Sequence, residues 1–300
     1  MPEVTEVTAD IVILGHLAKD IIEVDGNNQI SLGGAVYYGG IAGSHMGLKI
    51  VIITRLKKED FPFLEIFQKN GIKYYVSPSE ETSGLRNIYS SKNMEFREYQ
   101  PLGFAGLFKK EEIVNSLNPK FFVIAPIIAG EVNLDLLEHL KKKFPLNLCL
   151  DIQGFIRFRE DLRVVYKSLS LKERKKILSN INVLKLDQTE AEVLTNQKEI
   201  TKAAKELITS GPKEILITHK KGISVYTSNE SYEFLWKNKN SDGRTGRGDT
   251  AFISYLGSRI TKTPEESLKF AAALTSLKLE TPGPYNLPLY QVEKLIKEKY

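Results

Sequence analysis

The chain has 300 residues, 42% of them hydrophobic and 26% charged, with a net charge of +5. Those proportions fit a globular α/β protein with a sizeable core, and a single cysteine, Cys149, excludes an intramolecular disulfide framework. The basic surplus is mild and spread out, and its densest clusters, HLKKKF (139–144) and KERKK (172–176), read as solvated helix faces, so no nucleic-acid partner is expected.

The opening MPEVTEVTAD lacks the basic-then-apolar order of a signal peptide. No run reaches the ~18 apolar residues of a membrane span. A cytoplasmic protein without a membrane partner is expected. DIVILG (10–15) then reads as a buried strand, and LAKDIIEVDGNNQISL (17–32) as a hairpin turning at Asp-Gly-Asn-Asn. KIVIITR (49–55) is the next strand, and EDFPFLEIFQKNG (59–71) reads as a helix stopped by Asn-Gly. Residues 72–100 hold short strand-like pieces, IKYYVS, SGLRNIYSS and MEFREYQ, between Ser/Pro turns. Four more strands follow in KFFVIAP (120–126), LNLCLD (146–151), INVLKLD (181–187) and EILITH (214–219). Helices are predicted at VNLDLLEHLKKKF (132–144), QTEAEVLTN (188–196) and ITKAAKELITSG (200–211). The apolar runs do not alternate cleanly, as befits strands covered on both faces, and their succession with helices predicts a wound, mostly parallel sheet in one domain spanning 1–300. Residues 17–32 and 72–100 are expected to form a small β lid inserted in that body. Cys149, inside LNLCLD, reads as a buried small hydrophobe.

GRTGRGDTAF (243–252) carries the chemistry. Successive N–H groups around glycines make a nest for anions, and a helix starting there adds its positive dipole end. Gly246 and Gly248 let a phosphate approach closely. Asp249 repels phosphate, so its place at such a mouth suits a general base for an attacking hydroxyl; an N-cap role is the structural alternative. The Walker order is absent, and G-x-G-x-x-G does not follow the first strand.

With the rest of the chain beside it, GRTGRGD resembles the D-T-x-G-A-G-D signature of the ribokinase or phosphofructokinase-B (PfkB) family of sugar and nucleoside kinases. LGGAVYYGGIAGSHMGLKI (32–50) resembles that family's Gly-Gly signature and the helix after it, and Asp187-Gln188-Thr189-Glu190 its Asn-x-x-Glu element. GHLAKD (15–20) resembles the strand end whose aspartate holds sugar hydroxyls. Within the family the chain is most similar to bacterial-type myo-inositol kinases, through GHLAKDIIEVDG, DIQGFIR (151–157), GRTGRGDT and FAAALTSLKLETPGP (270–284).

The resemblance implies a ribokinase-like fold and an ATP-dependent phosphotransferase acting on a sugar or cyclic polyol, with myo-inositol as the leading acceptor. Asp249 would be the base, and the backbone from Gly246 through Arg247 and Gly248 the anion hole. Asp20, Gly33, Gly34, Tyr38, Asp151, Gln153 and Arg157 would bind the acceptor, with Arg86, Asn87 or Arg97 reaching in from the lid. Asp187, Thr218, Gly222, Thr245, Ala272 and Ser276 would bind the nucleotide. Glu190, and Asp187 through water, would serve a magnesium ion. His219, in the same loop as Thr218, reads as an ordinary loop histidine. The family usually has Asp where Gly243 stands, beside a monovalent cation, so potassium dependence is open. Arg247 replaces the usual Ala and either clamps a phosphate or faces solvent or an acid. Other acceptors (ribose, fructose, a sugar acid, a nucleoside stacked on Tyr37 and Tyr38) and a non-catalytic sensor are the alternatives. A homodimer through the exposed lid edge is expected.

Overall fold

The computed structural model describes residues 6–91 and 93–300, with the side chains of 93–97 left aside. The Arg97 side chain and the first five residues of the chain therefore lie outside what is described. The strands, in chain order, are β1 (Val7–Leu14), β2 (Ala18–Val24), β3 (Asn27–Gly33), β4 (Ile50–Lys57), β5 (Lys73–Ser79), β6 (Gly84–Ser90), β7 (Asn93–Gly103), β8 (Leu117–Ile124), β9 (Leu148–Asp151), β10 (Arg157–Glu160), β11 (Arg163–Tyr166), β12 (Val183–Asp187), β13 (Glu214–Thr218), β14 (Gly222–Tyr226) and β15 (Ser231–Leu235). The α-helices are α1 (Ala35–His45), α2 (Glu65–Lys69), α3 (Leu134–Lys143), α4 (Gln153–Ile156), α5 (Leu171–Leu178), α6 (Gln188–Thr195), α7 (Ile200–Ile208), α8 (Arg247–Arg259), α9 (Pro264–Leu279) and α10 (Leu289–Lys299).

A nine-stranded sheet in the order β15-β14-β13-β12-β9-β8-β1-β4-β5 forms the body. Pairing is parallel from β13 through to β5, and β14 and β15 extend the sheet antiparallel. Neighbouring residues of one strand feed two different cores. Val12 and Leu14 of β1 join the cluster that holds Leu150 and Leu186, whereas Ile11 and Ile13 join the one that holds Cys149 and Leu216. This is why the strands read as unbroken apolar runs: both faces are covered, and side chains alternate between two apolar layers. Cys149 is fully buried there, as its sequence context implied.

A second sheet, in the order β3-β2-β6-β7, packs through Ala18 and Leu85 on Ile127 and Ile128, just past the end of β8. The hairpin predicted at Asp-Gly-Asn-Asn is present, with Asp25 at φ 48° and Gly26 at φ 85°, the pair of positive φ values a two-residue hairpin turn requires. IKYYVS does not join this sheet. It becomes β5, parallel to β4 at the edge of the body. The helix predicted over 59–71 is also modified. Lys58–Leu64 forms a 3-10 turn and only Glu65–Lys69 is α-helical, because Pro62 inside the segment removes a donor that a longer α-helix would need. Among the described residues no helix is long and apolar enough to cross a membrane.

Candidate active site

The cavity that matters opens where the parallel strands end, the usual ligand edge of such a sheet. Asp249, Gly246, Arg247 and Gly248 line it together with Asp20, Gly34, Tyr38, Gln153, Arg157, Asp187, Glu190, Thr218 and Thr245. Residues from β2, α1, β12, β13 and α8 thus converge, although they are spread along the chain from Asp20 to Asp249.

Gly246 is the N-cap of α8 and sits in the left-handed region at φ 80°. A Cβ there would run into the ring of Tyr38, so the loop can pass over that tyrosine only as glycine. Helix α8 starts at Arg247, which puts Asp249 in its first turn, beside N–H groups that have no partner within the helix. The Asp249 charge is close enough to favour the protonated forms of both Lys185 and Lys278. Tyr38 of α1 supports the loop at Gly246 from below, and burial raises its phenol.

Beneath Gly248 lies Lys185 of β12: a Cβ on that glycine would stand 3.1 Å from its Nζ. Lys185 donates to Asp151 Oδ2 at 2.7 Å, with both side chains buried. Burial alone would discharge Lys185, but the carboxylates of Asp151, Glu190 and Asp249 outweigh it and keep the ammonium charged. From Asp151 the network continues outward. The Gln153 side chain donates to Asp151 at 3.3 Å, and Arg157 donates to Gln153 Oε1 at 2.6 Å. Asp151 therefore acts as the strut between the two lysine- and arginine-bearing ends and does not itself line the cavity. Arg157 also lies 4.3 Å over the ring of Tyr99 from the small sheet.

Asp20 of β2 accepts the main-chain N–H of Leu85 at 2.8 Å, which fixes one carboxylate oxygen in the cavity roof. Gly33 packs against that carboxylate without lining the cavity, while Gly34 does line it. Asn87 also reaches the cavity, and Arg86 instead pairs with Glu23 at 2.8 Å. The hydroxyl of Tyr89 meets Thr245 Oγ1 at 3.0 Å, tying the small sheet to the anion loop.

Asp187 caps α6 in a reciprocal box: its Oδ1 accepts the Glu190 N–H at 2.8 Å, and Glu190 Oε2 accepts the Asp187 N–H at 2.7 Å. Each acid keeps its second oxygen for another partner. Burial pushes Glu190 up to about 8, the neighbouring Asp187 charge adds to that, and Lys185 opposes it. Such a pair gains from a divalent cation nearby. Among the described residues no three His, Cys, Asp or Glu side chains gather into a metal cage. The pair fits an ion held through water and through phosphate oxygens, as magnesium usually is.

Three of the residues expected at the nucleotide lie away from the cavity. Gly222 starts β14 against Phe234 and Leu235. Ala272 is buried in α9. Ser276 donates to the Ala272 carbonyl at 2.7 Å, accepts the Lys237 N–H at 2.8 Å, and lies 3.2 Å from the Tyr300 hydroxyl. Trp236 donates to the His219 carbonyl at 3.1 Å and covers the same side. His219 itself pairs with Glu233 at 3.1 Å. Lys185, Arg244, Tyr99, Tyr166 and Lys278 were not singled out from the sequence. The period of two along β12 puts Lys185 on the face of Asp187, which is the one local signal that points to it.

The model of the pfkB family carbohydrate kinases matches residues 41–290. A pyrophosphate-dependent kinase in the ribokinase family, solved as a sulfate complex, is 32% identical over 94% of this chain and 99% of its own, with a TM-score of 0.86. A pyrophosphate-dependent kinase of the ribokinase family complexed with a pyrophosphate analogue and myo-inositol is 31% identical over 95% of this chain and 99% of its own, also with a TM-score of 0.86. The cytidine kinase of Thermococcus kodakarensis is 27% identical over 72% of this chain and 76% of its own. The expected fold, a mixed α/β body with a mostly parallel central sheet, agrees with these likenesses.

Proposed function

We propose that this chain, which belongs to the pfkB family of carbohydrate kinases, phosphorylates a hydroxyl of a cyclic polyol, with myo-inositol the leading acceptor. The observation that carries the reading is a single cavity lined both by Asp249 with the Gly246–Gly248 nest and by Asp20, Gln153 and Arg157. A polyol presents hydroxyls that both donate and accept, and carboxylate, amide and guanidinium groups satisfy both directions.

In the proposed reaction the acceptor hydroxyl loses its proton to Asp249 as its oxygen attacks phosphorus. The new O–P bond forms while the bond to the leaving oxygen breaks. N–H groups of Gly246, Gly248 and Asp249 stabilise charge on the transferred group, while that of Arg247 donates to the Arg244 carbonyl, and the Arg247 side chain with Lys185 holds the phosphates. Asp187 and Glu190 would hold the waters of a magnesium ion, which supplies charge neutralisation on the donor. The small sheet acts as the lid: Asp20, Leu85 and Asn87 roof the cavity, and closure excludes water as a competing acceptor. The edge strand β3, with Ile30 63% exposed, supports the expected homodimer through this lid.

For the donor we favour inorganic pyrophosphate over the ATP expected from the family. Two observations support it. The expected base-flanking residues Ala272 and Ser276 are buried behind Lys237 and Tyr300, and two relatives at 31% and 32% identity are pyrophosphate-dependent. A nucleoside acceptor is the second reading, favoured by the cytidine kinase relative. It would need an open aromatic face, but Arg157 lies over Tyr99, and Lys278 together with Gly246 occupies Tyr38.

The test is a panel of myo-inositol, ribose, fructose and cytidine, each with pyrophosphate or ATP and magnesium, followed by phosphorus NMR. The reading predicts an inositol monophosphate and free phosphate from the pyrophosphate arm. Transfer to cytidine from ATP, with none to myo-inositol, would overturn it.

A further inference from the structure

Lys278 lies in the last turn of α9, where a lysine ordinarily extends into water. Here it is turned inward and only 2% exposed. Its ammonium donates to the main-chain carbonyls of Gly243 and Thr245. It also stands 5.1 Å from the centre of the Tyr38 ring. Each contact belongs to the underside of the anion loop: Gly243 and Thr245 lead into α8, and Tyr38 is the ring on which Gly246 rests. Gly243 is pinned a second time, its N–H donating to the Leu279 carbonyl at 2.8 Å. A Cβ at residue 243 would run into the carbonyls of Lys278 and Thr281, so this close approach requires glycine.

A trans peptide points its carbonyl and its N–H in opposite directions. With the Thr245 carbonyl turned down to the Lys278 ammonium, the N–H of Gly246 is turned up, toward the cavity that Gly246 lines. The ammonium also polarises that peptide, strengthening the donor it presents. Resting on the kinase reading above, we propose that Lys278 is a positioning residue: a covalently tethered cation that orients the Thr245–Gly246 peptide on the transferring phosphoryl group and spares the reaction any need for a dissolved monovalent cation. Burial holds this ammonium near a pKa of about 7, with the Asp249 charge opposing that fall. A phosphate bound above the loop adds further negative charge on the same side.

The experiment compares wild type in choline chloride and in potassium chloride at equal ionic strength, with magnesium and the active donor and acceptor. Equal kcat in the two salts is expected. Lys278→Ala should lose about 10²-fold in kcat, the scale of one misplaced anion-hole donor, with a smaller change in the donor KM. Ammonium or potassium chloride should restore part of that loss, and choline should not. Lys278→Met fills the space without the charge and should be slow in every salt. A merely structural lysine predicts no salt-specific rescue. A potassium requirement in wild type, a Lys278→Ala enzyme of normal kcat, or a cooperatively folded Lys278→Ala enzyme that no cation restores would overturn the proposal. If the variants do not fold, the wild-type salt comparison decides. If wild type transfers phosphate to no acceptor, the kinase reading has failed. The melting shift caused by inorganic pyrophosphate, compared in choline and potassium, then tests Lys278 separately: equal shifts support it, and a potassium-dependent shift rejects it.

Discussion

The hydroxyl of Tyr89, on the small sheet, meets Thr245 Oγ1 at 3.0 Å, and Thr245 is also a carbonyl partner of Lys278. One loop therefore joins the roof of the cavity to its floor. Removing the roof contact with Tyr89→Phe takes away a hydrogen bond whose net worth is about 0.5–1.5 kcal/mol. We expect kcat/KM to fall roughly 2–10-fold, the same energy expressed as a rate, and the melting temperature to drop by no more than a few degrees. An unaltered kcat/KM would show that this contact plays no part in closure.

The buried pair between Lys185 and Asp151 supports both ends of the cavity. Asp151→Asn leaves the Lys185 ammonium buried with a weaker partner. The expected loss of unfolding free energy is about 3–5 kcal/mol, the usual cost of breaking one side of such a pair. Denaturant titration checks it. The acceptor KM should rise as well, because Gln153 and Arg157 lose their strut.

Glu131 and His16 form a second buried pair, 3.3 Å apart, with His16 between β1 and β2. Burial pushes Glu131 up to about 8 and His16 down to about 3, so the pair is neutral in the fold. Between the ordinary glutamate value of 4.5 and about 8 the folded state keeps a proton that the unfolded chain has lost. Stability from this group is full below the lower value and is lost as pH rises through the upper one. Glu131→Gln keeps an acceptor for the Ile127 and Ile128 N–H groups but cannot titrate. The melting temperature of wild type relative to Glu131→Gln should fall between pH 5 and 8; a difference independent of pH contradicts the assignment.

Gly246→Ala tests the seat of the loop. The added methyl meets the Tyr38 ring and the backbone is at φ 80°. We expect kcat to fall about 10²–10³-fold, as for a lost oxyanion donor. Tyr38→Ala in the same chain makes room and should recover part of that loss, which stopped-assay kinetics would reveal.

Much of this architecture was legible in the chain. Unbroken apolar runs such as DIVILG and INVLKLD report a sheet buried on both faces, because both faces of β1 and β12 meet apolar layers. GRTGRGD marked a loop that borders the cavity, because glycines and an acid at a helix start suit an anion nest as well as a helix cap. What stayed hidden depends on distant neighbours. Lys185 and Lys278 look like surface lysines until Asp151 and the carbonyls of Gly243 and Thr245 are brought to them. IKYYVS has the composition of a lid strand, and only its pairing with β4 assigns it to the body. Pro62 stands inside the helix predicted over 59–71, and its missing donor confines the α-helical turn to Glu65–Lys69. The place of Ala272 and Ser276 came from resemblance alone, and the packing of Lys237 and Tyr300 against Ser276 is not written in that motif.

Whether the Asp249 carboxylate takes the acceptor's proton is decided by Asp249→Asn. The variant keeps the size and the helix start. Wild type and variant would be compared with myo-inositol, pyrophosphate and magnesium, alongside the melting shift caused by pyrophosphate alone. A kcat lower by about 10²–10⁴-fold, the range of a positioned base, is expected, with the pyrophosphate-induced shift retained. A variant that keeps near-normal kcat would contradict the base role.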